Sequence, residues 1–113
     1  LKLLHQYIKK NDLTAIYILI IHNIPNNKLK IWLSNKIDST FISILFKSII
    51  LYNNYQQDGE KITHLFNILS QISIFQTLIE FINEQDETYI NNIFNTINNL
   101  KNNIILKNKF HIK

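Results

Sequence analysis

Apolar residues along the chain recur three and four positions apart, the spacing of helices, and not in the alternation of strands. In "LTAIYILII", Leu13 to Ile21, residues Leu13, Ile16, Tyr17 and Ile20 keep one line while Ile18, Leu19 and Ile21 fill the other sides. A helix apolar nearly all round belongs at the centre of a fold, covered on several sides. Asn11 and Asp12 suit its N-cap, and Pro25 stops it. Proline also suits a helix start, so a short second helix is predicted from Asn26 to about Leu33, carrying Leu29, Trp32 and Leu33.

Asp38 caps the next run, "STFISILFKSIILYNN", where Phe41, Ile42, Leu45, Phe46, Ile49 and Ile50 form a helical stripe. "NNYQQDG" predicts its end, with Gly59 as the breaker and a new helix from about Glu60 to Ile72. Ile62, Leu65, Phe66, Leu69 and Ile72 form its buried line, and Lys61, His64, Asn67 and Gln71 face water. Ser73 is expected to cap the following helix and Asn83 the last clear one. Glu84, Asp86 and Glu87 in that last helix's first turn suit the free N–H groups and the helix dipole. Its buried line is Ile90, Ile93, Phe94 and Ile97. The expectation is an all-α fold, an irregular bundle of five to six short helices forming one domain over residues 1–100. Residues 101–113, "KNNIILKNKFHIK", read as a basic tail that docks Ile104, Ile105 and Leu106 back on the body.

One helix carries more apolar surface than a core requires. In "SQISIFQTLIEFIN", Ile74, Phe75, Leu78, Ile79, Phe81 and Ile82 span an arc of about 160° at the helical rotation per residue. A core-facing stripe needs little more than about 100°. Phe75, Leu78 and Ile82 lie at mid-arc and are assigned to the core. Ile79 lies at one edge. Ile74 and Phe81, with Thr77 beside them, lie at the other, and there the pattern leaves a choice between burial by a neighbouring helix and a partner surface.

Composition narrows the chemistry. With 113 residues the chain is one domain able to bury a modest core. There is no cysteine, which excludes disulfides and thiolate metal sites and suggests a reducing compartment, cytosol or nucleus. There is no methionine, so the chain reads as a piece of a longer protein. The longest apolar run, "AIYILII", is far shorter than the ~20 residues of a membrane span. The net charge of +4 comes from lysine alone, and the lack of arginine argues against sequence-specific reading of nucleic acid. The four histidines, His5, His22, His64 and His111, lack metal-ligand spacing. Ser34, Ser39 and Ser73 sit at expected caps and links, and a single glycine leaves no phosphate loop. No catalytic residue, cofactor or metal is indicated.

The order of these pieces resembles the C-terminal domain family of RNA polymerase II-associated protein 3. The resemblance covers Ile16 to Asn98. It rests on "YILIIHNIPNNKLKIWLSNKIDSTFISILF", with a Tyr-Leu helix, an Ile-Pro break, a short helix and an Ile-Asp cap before a long apolar helix. It continues in "ITHLFNILSQISIFQTLIEFINEQDETYINNIFNTI", with Leu69-Ser70, Phe75, Phe81 and the acidic cap "NEQDE" at the family's gaps.

That resemblance implies a non-enzymatic helical adaptor that docks onto the ATPase side of the RuvB-like AAA+ ring of the R2TP co-chaperone complex. Other parts of such proteins recruit Hsp90, and the assembly matures RNA polymerases, small nucleolar ribonucleoproteins and kinases. The expected location, from composition, is the cytoplasm and also the nucleus, with no membrane partner, and the lack of arginine disfavours a nucleic-acid partner. The implied docking positions are Ile74, Thr77 and Phe81. Phe81 keeps the family's aromatic, whereas Ile74 stands where arginine is common and Thr77 where methionine is. Two alternatives stay open: the same domain in an axonemal dynein assembly factor, and a basic helical nucleic-acid-binding domain.

Overall fold

Local chemistry sets several of the helix starts. A computed structural model describes residues 2–112, apart from the side chains of Lys2 and Asn26, and among these residues the chain forms nine α-helices and no strand. They are α1 (Lys2–Lys9), α2 (Leu13–Tyr17), α3 (Asn26–Lys36), α4 (Ser39–Tyr52), α5 (Tyr55–Ser70), α6 (Ser73–Glu80), α7 (Glu84–Thr96), α8 (Asn98–Lys101) and α9 (Ile104–Lys109). Four starts are capped by a side chain that accepts a free backbone N–H. Asp12 accepts from Ala15 at 3.1 Å and Asp38 from Phe41 at 2.7 Å. Asn83 accepts from Asp86 at 2.8 Å and Asn103 from Leu106 at 3.0 Å.

The apolar run after Leu13 is one continuous coil of two kinds. Its second half, Ile18–Asn23, widens into a π-helix before Ile24 turns extended and Pro25 leads into α3. Ile16, Tyr17, Ile20 and Ile21 are buried there, as a central helix requires. The core gathers around Phe66. Its ring stacks on Phe110 at 5.0 Å and meets Phe46 and Phe94 at 5.8 and 5.5 Å. Edge and tilted contacts of this kind add to the area the rings bury.

Several boundaries differ from expectation, each for a local reason. Helix α1 adds an N-terminal element, two turns long, whose Leu4 is buried. Helix α3 runs to Lys36, a turn beyond Leu33. The break after α4 is made by Asn53, in the left-handed region at φ 52°, and not by Gly59. Asparagine takes that conformation more readily than most residues. Helix α5 therefore starts at Tyr55 and carries Gly59 inside it. Ser73 makes no cap bond; Ile72 is the extended residue before α6 and Ser73 its first helical residue. Residues 101–112 are not a tail on the body. Leu106 and Phe110 are buried, so α9 is part of the core, while Ile104 and Ile105 are exposed. Leu1 and Lys113, the outer ends of the two expected segments, lie outside the described residues.

Gly59 offers a direct test of its helical setting. Its φ is not positive, and an added Cβ would meet Ile97 Cγ2 at 3.6 Å, an ordinary contact. Gly59→Ala should raise stability by about 0.5–1 kcal/mol, because alanine loses less backbone entropy in a helix. The measurement is the urea midpoint, which should rise at unchanged slope; a fall would mean that the backbone there needs glycine.

Candidate protein-docking surface

Helices α5 and α6 meet at 94°, across the extended Ile72. The side chain of Gln76 ties the joint by donating to the Ser70 carbonyl at 3.1 Å. This corner lays α6 across the end of α5 and exposes one of its long edges. Phe75 and Ile79 point inward and are buried, and the Phe75 ring lies 5.1 Å from Phe110. Leu78 and Ile82 are only half-buried. The core-facing line is therefore rotated from the expected Phe75–Leu78–Ile82 to Phe75–Ile79.

Ile74, Thr77 and Phe81 are all exposed, Ile74 by 51% and Phe81 by 80%. They follow the i, i+3, i+7 spacing, so they share one side of the helix. Phe81 closes the helix, its N–H donating to the Leu78 carbonyl at 3.1 Å, which fixes the backbone that carries the exposed ring. Beside it runs a groove of about 400 Å³. Leu78, Phe81 and Ile82 line one part of it, Ser39, Thr40 and Ser43 of α4 another, and Asp86 of α7 a third. Asp86 is buried and accepts a hydrogen bond from the Ser43 hydroxyl.

A second polar site lies between the π-helix and α5. Asp58, 3% exposed, accepts from the Tyr17 hydroxyl at 2.7 Å, from His22 Nε2 at 3.1 Å and from the Asn54 amide at 3.3 Å. Lys61 Nζ lies 3.1 Å from His22 Nδ1. An ammonium only donates, so Nδ1 is the acceptor and Nε2 carries the proton that goes to Asp58. His22 thus has both nitrogens engaged and Tyr17 is wholly buried beneath a stacked Tyr52, 4.1 Å away. The arrangement is a latch with no free base. Burial first, and then the Asp58 hydrogen bond, push the Tyr17 hydroxyl far above the usual tyrosine range. Burial alone pushes Tyr55 up, and its hydroxyl has no partner.

The sequence placed His22 at a helix end but did not pair it with Asp58, 36 residues away. His5, His64 and His111 are exposed. Among the described residues no three histidines or acids gather where they could hold a metal ion. No single helix there is long and apolar enough to cross a membrane. No family model, curated protein or solved structure matches the chain.

Proposed function

We propose that this domain is a non-enzymatic adaptor that docks a larger scaffold onto a RuvB-like AAA+ ring, through the α6 edge formed by Ile74, Thr77 and Phe81. The supporting observation is Phe81, a phenylalanine 80% exposed at the end of a short helix, two turns along from an exposed Ile74. An exposed aromatic side chain with only two rotatable bonds gives up apolar surface to a partner at a small entropy cost, the profile of an interface anchor. The resemblance supplies the partner; at Ile74 this edge is apolar where the family is basic, and at Thr77 it is polar where the family is apolar.

Binding of the purified domain to a RuvB-like ring, followed by calorimetry, tests the reading. Phe81→Ala should weaken it by about 30-fold, the equivalent of ~2 kcal/mol. Circular dichroism and melting temperature should stay unchanged, because the ring touches little of the core. Equal affinity for wild type and variant would remove Phe81 from the interface, and no binding by the wild type would remove the ring as partner.

A further inference from the structure

The polar cluster between the π-helix and α5 holds the parts of an activated nucleophile, and docking through α6 uses none of them. His22 Nε2 donates to Asp58 at 3.1 Å, and Lys61 Nζ lies 3.1 Å from His22 Nδ1. Amine, imidazole and carboxylate thus follow one another with a hydrogen bond at each joint. A nucleophile within reach of a base, the base itself oriented by a third group, is the arrangement that readies a side chain for covalent chemistry.

Exposure is graded along the three groups. Asp58 is 3% exposed, the His22 side chain 31%, and Lys61 opens to solvent. The inner end is held firmly, since the same Asp58 oxygen also accepts from Tyr17 at 2.7 Å and from Asn54 at 3.3 Å. The Tyr17 ring lies tilted beside the imidazole at 6.1 Å. With Nε2 protonated toward Asp58, the lone pair of Nδ1 is left for Lys61. His22 is therefore no base for a solute, but it is a base for the one amine beside it. It also stands in the π-turn, Ile18–Asn23, and widened turns of this kind are frequent at functional sites. Among the described residues Lys61 is the lysine whose hydrogen-bond partner is a basic nitrogen; Lys30 meets the Gln71 amide oxygen instead.

We propose that Lys61 is a site of self-acylation, taking an acyl group from a thioester. The ammonium gives one proton to His22 Nδ1, and the freed electron pair attacks the thioester carbonyl carbon. The C–N bond forms and the C–S bond breaks, its electron pair leaving on sulfur. The thiolate takes the second proton that the nitrogen sheds. The imidazolium, paired meanwhile with Asp58, passes its proton to water. One amide on Lys61 and one free thiol result. The amide is stable, so each chain reacts once and the domain does not turn over.

The purified domain is incubated with the small thioester S-acetyl-N-acetylcysteamine and followed by peptide mass spectrometry, with every other lysine as an internal reference. Lys61 should acetylate at least ~10-fold faster than the median of the remaining lysines, a modest share of what a positioned base supplies. The advantage should vanish in concentrated urea, where the pairing is lost. It should vanish as well in His22→Gln, whose amide can donate to Asp58 but offers Lys61 no basic nitrogen, with circular dichroism reporting the fold of that variant. Lys61 at or below the median in the native wild type overturns the proposal. So does an advantage that survives urea, which would belong to the local sequence, and so does one kept by folded His22→Gln. The native and urea arms decide the matter even where His22→Gln does not fold. No partner enters any arm, so the outcome is independent of the docking reading.

Discussion

Phe110→Ala is expected to destabilise the domain by about 3–5 kcal/mol, a large share of the roughly 5–15 kcal/mol that holds a domain of this size together. Phe110 is 2% exposed, and its ring lies 5.0 Å from Phe66, 5.1 Å from Phe75 and 5.3 Å from Phe94. Truncation removes both the transfer free energy of a phenyl ring and the contacts of the three rings around it, and those rings belong to α5, α6 and α7, which cannot all collapse into one void. Urea unfolding reads the loss directly. Ile105→Ala, at a position 70% exposed only five residues earlier, should change stability by less than about 0.5 kcal/mol. Removal of residues 101–113 should cost more than Phe110→Ala, because Leu106 leaves as well. A small effect of Phe110→Ala, equal to that of Ile105→Ala, would mean that the C-terminal segment does not pack as described.

That segment shows where sequence legibility ended. Helices with a clear stripe and a capping residue were readable: α4 behind Asp38 and α7 behind Asn83 follow directly from pattern and cap. The last thirteen residues have no such period, because α9 is only six residues long and spends two of them, Ile104 and Ile105, on solvent. Only Leu106 and Phe110 enter the core there, and one pair a turn apart is too short to show a period. Gly59 misled for a different reason. Glycine disfavours a helix by about 1 kcal/mol, which the burial of Ile62, Leu65, Phe66 and Leu69 on the same helix outweighs. The excess of apolar surface on α6 was readable as a quantity. Its direction was not: a shift from Leu78 to Ile79 as the inward residue is a single step of the helix, and the angle of the α5–α6 corner decides it. The pairing of His22 with Asp58 lay beyond reach, since no local signal links residues on separate helices.

Asp58→Ala should cost about 3 kcal/mol, although it removes one buried charge. The carboxylate takes hydrogen bonds from Tyr17, His22 and Asn54, and Tyr17 is wholly buried. Without Asp58 the tyrosine hydroxyl keeps its burial and loses its acceptor, which is the expensive half of any broken buried pair. Tyr17→Phe should cost less, about 1–2 kcal/mol, because His22 and Asn54 still satisfy the carboxylate. In a double-mutant cycle the two changes should therefore couple, the second costing little once the first is made. The same bond sets an alkaline limit. Tyr17 holds its proton far more tightly folded than unfolded. Below the unfolded tyrosine value, about 10, both states are protonated and stability is flat. Above it the unfolded chain loses the proton first, so stability falls by about 1.4 kcal/mol per pH unit for this residue, and Tyr55 adds to the slope. Stability measured from pH 8 to 12 (about neutral to strongly alkaline) should bend downward near pH ~10 in the wild type and more gently in Tyr17→Phe. A profile with the same bend in both proteins would show that the latch between the π-helix and α5 does not hold a buried tyrosine.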